Sequence, residues 1–342
     1  MKPTINKDRI NVIDLIRGFA LIGLPFLNVL VLWAPHVHLS GTQGDILVQR
    51  FLYIFVEGRF YAIFSFLFGL GIWIFITRAK EKTNHPYALF IRRMLILAIV
   101  GGIHQIIQPG EALLVYAILG LPVVFFDRLP RWINLTLGIV GIMIGSYLGV
   151  KVFLPLPLMI LGIAFGQYRI FETYIKMRKI WVMVAVLSFV ATTISAVFLW
   201  LKSPTLGLSV EGVKLSEAQL ASNSAFYDMT DLSMMLAPIF SVFYVSFLVL
   251  LEPLMKKWVS PLNSFGRMAF TNYIGQSVIL AIIAIFIPDG IVVSYTVSTI
   301  TCAIVVIAQI IFSSLWLRFF KYGPLEWIWR CGTYGKWLTI RK

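Results

Sequence analysis

Charged residues are scarce in this chain. They make up 13% of its 342 residues, whereas hydrophobic residues make up 59% and the mean hydropathy is +0.88. Apolar runs long enough to cross a hydrocarbon core of about 30 Å recur from one end to the other, and no polar stretch is left for a soluble domain. We therefore predict an all-α, polytopic integral membrane protein, with residues 1–342 as a single transmembrane domain and the lipid bilayer as its first partner.

Cysteine and histidine are also rare, with two and four residues respectively. Neither Cys302 nor Cys331 has metal-ligand company in the sequence, and we predict no structural disulfide. His36 and His38 share a face only in an extended segment and lack a third ligand, so we predict no metal site. Phosphate-binding loops, dinucleotide glycine fingerprints, G-x-S-x-G elbows and H-E-x-x-H helices are missing, which leaves those enzyme classes unsupported.

The apolar runs predict about ten transmembrane helices. The first is interrupted by Asp14 and Arg17 and is followed by no small-residue cleavage site, so we interpret it as a retained helix rather than a signal peptide. The predicted spans are residues 10–33, 59–76, 87–107, 112–126, 132–150, 152–166, 181–201, 232–251, 268–287 and 292–317.

Lysine and arginine are distributed unequally between the two sets of loops, which predicts the orientation. The N-terminus and segments 78–93, 127–131, 167–179, 252–267 and 318–342 hold 23 of the 29 basic residues. We therefore predict that both termini are cytoplasmic and that the net charge of +14 faces anionic inner-leaflet lipid. No clustered basic groove suggests nucleic acid, and we expect no nucleic-acid partner.

Two segments outside the spans have features of their own. Residues 202–231 form the longest predicted extracytoplasmic loop, and the capping-box spacing of Ser216 and Gln219 predicts a short surface helix within it. Residues 318–342 combine tryptophan, tyrosine and basic side chains, which predicts a cytoplasmic tail anchored at the membrane interface.

Glycines recur at every fourth position in two neighbouring spans. This spacing brings small faces together and lets helix backbones approach closely, so we interpret the pattern as packing between the fifth and sixth spans. The residues are Gly141, Gly145 and Gly149 in one span, and Gly162 and Gly166 in the other.

The first span carries Asp14, Arg17 and Asn28 on one helical face. At 100° per residue these positions fall within about 40° of one line. Asp14 and Arg17 are three residues apart and can pair, whereas Pro25 predicts a kink before Asn28 is reached. Charges at membrane depth usually mark a functional route; the alternative is a structural ion pair near the cytoplasmic interface.

A second group of ionisable residues gathers near the opposite membrane face. Glu57 and Arg59 open the second span, while His104 and Glu111 flank a tight turn between the third and fourth spans. A histidine oriented by a carboxylate is a general-base arrangement, so His104 with Glu111 or Glu57 is a candidate to activate an acceptor hydroxyl or amine. The alternative is a histidine held by hydrogen bonds at the interface.

Four motifs, taken in order along the chain, resemble those of the YeiB-like family of bacterial membrane proteins. The resemblance extends over nearly the whole chain, although Glu111 stands where this family is expected to have an aspartate. The motifs are Asp14-x-x-Arg17-Gly18-x-Ala20 with Asn28; Gly102-Ile-His104 to Glu111 with Tyr116-Ala117; Gly266-Arg267-Met268-Ala269-x-Thr271-Asn272-Tyr273; and Gly323-Pro324-Leu325-Glu326-Trp327-x-Trp329-Arg330 with Thr333-Tyr334.

The YeiB-like family is in turn distantly similar to transmembrane acyltransferases such as the heparan glucosaminide acetyltransferases. The resemblance implies a multi-pass protein of the bacterial inner membrane, with acyl-coenzyme A or a similar co-substrate arriving from the cytoplasm. Arg17 and Asn28 match the spacing of the residues that line the donor path in those enzymes. Asn28 stands where the bacterial acyltransferases have a histidine, so the base would come from His104, His36 or His38.

The sequence thus supports several hypotheses. The first is an acyltransferase for an extracytoplasmic sugar, lipid or cell-wall acceptor, with His104, Glu111 and Asn28 catalytic. Its substrate and donor contacts would be Asp14, Arg17, Glu57, Arg59, His36 and His38.

The second hypothesis is a transporter or permease for a small amphiphile or anion, using Asp14, Arg17, Glu57 and Glu111. A lipid-binding or assembly protein is the third. The sequence leaves the oligomeric state open, with a homo-oligomer as one alternative.

Overall fold

The chain folds into a bundle of helices. A computed structural model describes residues 10–34, 36, 42–149, 151–207, 216–288 and 291–342, and within them the backbone contains fourteen α-helices and no β-strand. The helices are α1 (Asn11–Gly23), α2 (Pro25–Leu32), α3 (Gln43–Phe55), α4 (Arg59–Lys80), α5 (Pro86–Ile107), α6 (Ala112–Val123), α7 (Arg131–Tyr147), α8 (Pro155–Gln167), α9 (Arg178–Lys202), α10 (Glu217–Leu251), α11 (Lys256–Arg267), α12 (Ala269–Ile285), α13 (Tyr295–Phe319) and α14 (Pro324–Tyr334).

Six stretches of the described chain are long and apolar enough to cross a membrane. They are α1 with α2, α3 with α4, α5, α9, α10 and α13, and a seventh forms if α11 and α12, bent by 75°, count as one span. The protein is therefore a multi-pass membrane protein.

The predicted count of ten spans includes three shorter helices. The predicted spans 112–126, 132–150 and 152–166 correspond to α6, α7 and α8, which have 12, 17 and 13 residues. A helix of 12 residues is about 18 Å long, well short of the roughly 30 Å hydrocarbon core. The count of ten and the cytoplasmic termini stay predictions.

The first predicted span is broken at Leu24, between α1 and α2. Pro25 opens α2, and its missing N–H interrupts the helical hydrogen-bond ladder at the predicted position. Cys302 on α13 donates from its thiol to the carbonyl oxygen of Pro25, at 3.4 Å. The break therefore lies inside the bundle, packed against a distant part of the chain.

Ser216 caps α10 as the sequence predicts. Its hydroxyl oxygen accepts from the backbone N–H of Gln219 at 3.2 Å. The prediction of a short surface helix is wrong, however, because α10 continues through Pro238 to Leu251. The second half of segment 202–231 is thus the beginning of a 35-residue helix.

Glycines allow close helix contacts, one with the predicted partner and one with a different partner. Gly141 on α7 packs against Pro157 on α8, whereas Gly162 on α8 faces the backbone of α4 at Phe66. A Cβ atom at Gly162 would collide with the Phe66 carbonyl oxygen. The two glycine faces therefore bring α8 against α7 on one side and against α4 on the other.

Candidate functional site

A cavity of about 730 Å³ lies between α1, α2, α4, α5, α6, α11, α12 and α14. Asp14, Arg17 and Asn28 all line it, so the polar face of the first span is turned into this space. The guanidinium of Arg17 contacts the Asp14 carboxylate at 3.0 Å, with 29% and 7% of the two side chains exposed. The ion pair therefore forms in the cavity wall. This location is compatible with a functional role and with a structural one.

One end of the cavity is strongly cationic. Eight basic side chains line it against two carboxylates, those of Asp14 and Glu326. An excess of positive charge in a confined space attracts anions and raises their local concentration. The basic residues of this cationic mouth are Arg17, Arg78, Lys82, Arg93, Arg267, Lys321, Arg330 and Lys342.

Arg93 and Arg330 both stack on aromatic rings. Arg93 stacks on the Trp329 ring, 3.5 Å from its centroid, and Arg330 lies over Tyr322 at 4.7 Å. Within the described part of the chain, neither makes an ion pair with a carboxylate. Aromatic stacking leaves the N–H groups at the rim of a guanidinium available for a planar or tetrahedral anion.

Glu326 fixes α14 against the beginning of α12. Its carboxylate accepts from the backbone N–H groups of Phe270 and Thr271 at 2.7 and 3.1 Å, and from the Thr271 hydroxyl at 2.5 Å. Burial raises the pKa of Glu326, although these hydrogen bonds act in the opposite direction. The carboxylate thus serves as a helix cap that positions Trp329 and Arg330 at the mouth.

Beyond the cationic mouth the cavity is mainly apolar, and a few polar side chains line its far end. Asn28, Tyr61, Tyr116 and Tyr273 line this polar end, and aromatic and aliphatic side chains of α4 and α5 lie between it and the mouth. The Tyr116 hydroxyl lies 2.9 Å from the Ser65 hydroxyl. A ligand that fills this space would have a charged head, a long uncharged middle and a polar group at its far end.

His104 and Glu111 form a buried pair just behind the wall of the polar end. Nδ1 of His104 is 3.2 Å from a Glu111 carboxylate oxygen, and Glu111 also caps α6 by accepting from the N–H groups of Leu113 and Leu114. A carboxylate beside Nδ1 favours the tautomer with the proton on that nitrogen. Nε2, which has no hydrogen-bond partner among the described residues, is then a free acceptor.

The His104–Glu111 pair does not line the cavity, because Tyr273 and Leu113 lie between the pair and the cavity. The His104 ring packs edge-on against Tyr273 with centroids 5.3 Å apart, and both Tyr273 and Leu113 are in the lining. Gly101 makes this arrangement sterically allowed, since a Cβ atom there would meet the Leu114 nitrogen and the Glu111 carboxylate. Gly101 therefore allows the close contact between α5 and α6.

Three further predicted site residues that the structure describes, Glu57, Arg59 and His36, lie outside the cavity lining. Arg59 is fully buried and donates to the Ser233 hydroxyl at 2.7 Å and to the Glu57 carbonyl, so it faces α10. His36 accepts a backbone hydrogen bond from Val293. Glu57 precedes Gly58, which does line the cavity, and His38 lies outside the described residues.

The sequence did not single out four residues that the structure places in the lining: Arg93, Arg267, Tyr273 and Arg330. Three of them belong to the quoted motifs, which was a signal for their importance but not for their location. The sequence predicts Arg330 only as part of an interfacial tail, and Arg93 only as one of the charges that set the orientation. Their convergence depends on how α5, α11, α12 and α14 pack.

The four motifs meet around one space, which defines the class: a multi-pass membrane protein with an internal cationic cavity. The chain belongs to the family described as protein of unknown function (DUF418), whose model matches residues 165–336. That match contains the Gly266 and Gly323 motifs, while the Asp14 and His104 motifs precede it.

Full-length relatives extend the similarity over the rest of the chain. It is 38% identical to an uncharacterized 39.9 kDa protein in the amylase 3' region of Bacillus acidopullulyticus, over 99% of this chain and 98% of the relative. It is 28% identical to the uncharacterized protein YxaH of Bacillus subtilis, over 100% and 98%. It is also 22% identical to the uncharacterized protein YeiB of Escherichia coli, over 93% and 94%. The YeiB-like resemblance is thereby confirmed.

Proposed function

We propose that this protein is a transmembrane acyltransferase of the bacterial plasma membrane. In this proposal about ten segments cross or enter the bilayer and both termini are cytoplasmic. An acyl-coenzyme A or similar thioester reaches the cationic mouth from the cytoplasm. Its acyl group passes to a sugar, lipid or cell-wall acceptor on the other side.

The distribution of charge along the cavity is the observation that carries this proposal. In the mouth, Arg93 and Arg330 have no carboxylate partner in the described chain, and the polar end holds Asn28 and three tyrosines. A phosphorylated carrier with a long neutral arm and a reactive thioester matches that order. Arginine is the preferred side chain for phosphate groups.

The reaction needs a base, an acceptor and a place for negative charge. A hydroxyl or amine of the acceptor attacks the thioester carbonyl and gives its proton to Nε2 of His104, while Glu111 stabilises the resulting imidazolium. The Asn28 amide donates to the carbonyl oxygen as it becomes negative. The carbon–sulfur bond then breaks, and the thiolate takes the proton and leaves as the thiol. Because Tyr273 separates His104 from the cavity, the Tyr273 side chain has to move aside for this step.

Turnover of an acyl-coenzyme A by the purified protein tests the proposal. We expect saturable binding and slow release of coenzyme A, both lost in the double variant Arg17→Ala, His104→Ala. Arg131→Ala is the control, because Arg131 is exposed and outside the cavity. Absence of binding and hydrolysis in the wild type, together with full cellular activity of the double variant, would refute the proposal.

A transporter is the second candidate, because the cavity lining joins residues from both predicted membrane faces. Arg78 and Lys82 lie near the predicted cytoplasmic side, and Gly110 belongs to the predicted outer turn. Such a path also suits alternating access of a small anionic amphiphile. Flux into proteoliposomes that collapses with the proton gradient, with no covalent product, would select this candidate.

A further inference from the structure

A second, polar pocket of about 400 Å³ adjoins the cationic mouth. Five of its lining residues come from one face of α11 at helical spacing. Asn11 at the beginning of α1 and Glu252 after α10 complete the lining. We name this the head-group pocket; its α11 residues are Lys256, Ser260, Asn263, Ser264 and Arg267.

The opposite face of α11 packs against the core and against α1, and this packing holds the polar face in place. Val259 and Phe265 are buried in the core. A Cβ atom at Gly266 would collide with the Asp14 carbonyl oxygen, so α11 and α1 are in backbone contact. The helix is therefore fixed by packing, and its polar residues are presented as a rigid surface.

The chemistry of the head-group pocket is mixed. Lys256 and Arg267 are cations, Ser260 and Ser264 carry hydroxyls, and the Glu252 carboxylate is held by the Tyr174 hydroxyl at 2.6 Å. Oδ1 of Asn263 is buried and has no hydrogen-bond partner in the described chain. A buried acceptor in that state is costly unless a ligand or water donates to it. The set suits a ligand that has both phosphate and hydroxyl or amino groups.

Arg267 links the two spaces, because it lines both the head-group pocket and the cationic mouth. We propose that the head-group pocket binds the nucleotide end of the donor, with a donor phosphate at Arg267 and the neutral arm running into the large cavity. This inference rests on the proposed function and narrows the donor to a nucleotide-bearing thioester. A simple acyl phosphate would leave the head-group pocket without a role.

Binding of two probes to the purified full-length protein tests the inference. Coenzyme A carries the nucleotide, and 4′-phosphopantetheine is the same arm without it. We expect coenzyme A to bind at least tenfold more tightly, as measured by calorimetry. Adenosine 3′,5′-bisphosphate should compete with coenzyme A and not with 4′-phosphopantetheine. This competition experiment uses the wild-type protein.

Two single variants, Ser260→Leu and Asn263→Leu, locate the nucleotide contact. Both residues line the head-group pocket and neither lines the large cavity. Each variant should lower coenzyme A affinity to that of 4′-phosphopantetheine and leave the latter unchanged, whereas Ser224→Leu, at an exposed position of α10, should change neither. Melting temperatures of the variants establish that they are folded.

The outcomes separate the two proposals. Equal affinity of the two probes for the wild type would overturn this inference and leave the acyltransferase proposal intact. Tighter coenzyme A binding that both variants retain would place the nucleotide elsewhere and also overturn it. If neither coenzyme A nor 4′-phosphopantetheine binds, the proposed function is overturned, and this inference with it.

Discussion

In the cationic mouth, Arg93 and Arg330 form no ion pair with a carboxylate of the described chain. Asp14 is already paired with Arg17, and Glu326 is used as the cap of α12. Arg93 and Arg330 therefore face the cavity with no carboxylate left among its lining residues. Positive charges held together in a protein interior favour an anionic ligand. Binding of the anion offsets the free-energy cost of desolvating the cations and the repulsion between them.

Replacing Arg330 with glutamine should weaken donor binding. A hydrogen bond to a charged group contributes about 1.5–3 kcal/mol, so we expect at least a roughly tenfold loss of coenzyme A affinity and a weaker dependence on salt. Arg131→Gln is the matched control, since Arg131 lies over Tyr168 at the same 4.7 Å that separates Arg330 from Tyr322. Equal affinities of the two variants would exclude Arg330 from the donor site.

Replacing His104 with alanine should abolish turnover and spare donor binding. General-base catalysis contributes about 10²–10⁴-fold to a rate, and His104 lies outside the cavity that would hold the donor. Acyl transfer should fall by that factor while the dissociation constant for coenzyme A stays the same. His85→Ala, at an exposed position before α5, is the control. A parallel loss of binding and turnover would mean that His104 supports the structure only.

At the scale of the elements, the crossing of α1 and α11 holds two motifs together. Gly18 faces the carbonyl oxygen of Leu262, and Gly266 faces that of Asp14, so each motif glycine lies in the contact. This crossing places Arg17 and Arg267 on the same cavity. The glycines of both motifs are therefore explained by backbone proximity rather than by chemistry.

Gly18→Ala should destabilise the protein, whereas Gly102→Ala should not. An added methyl group at Gly18 collides with backbone, and overpacking of this kind costs about 1–3 kcal/mol. Gly102 also lies inside a helix, α5, but has no atom within 4 Å of an added Cβ, so alanine there gains up to about 1 kcal/mol of helix propensity. Melting temperatures in detergent measure both; equal shifts would contradict the close crossing.

The sequence predicted that Asp14 and Arg17 share a face because residues three apart in one helix are related by local geometry alone. Asn28 lies on α2, beyond the break at Leu24, and still lines the same cavity. The sequence predicted the His104–Glu111 proximity for a similar reason, since a short turn joins them. It did not predict α11, because the basic residues of segment 252–267 indicated a loop, whereas the apolar face of that helix is buried by contact with α1. Nor did it predict that Arg93 and Arg330 share a space, which only the tertiary packing decides.

At the scale of the whole molecule, the proposal requires the cationic mouth to open to the cytoplasm. Reporter fusions test this orientation. A fluorescent protein fused after Lys342 should fluoresce, and alkaline phosphatase fused after Lys202 should be active, because the distribution of basic residues puts the first position inside and the second outside. The reverse pattern would place the mouth on the outer face and remove the cytoplasmic donor.

In the proposed function, a thioester donor lies in the cavity with its head at the cationic mouth and its acyl group at the polar end. Photocrosslinking with an acyl-coenzyme A that carries a diazirine in the acyl chain, followed by mass spectrometry, measures this directly. We predict labelling near Asn28 or Tyr273, suppressed by excess coenzyme A and reduced in Arg330→Gln. Labelling confined to lipid-facing positions such as those of α9, unchanged by competitor, would contradict the account.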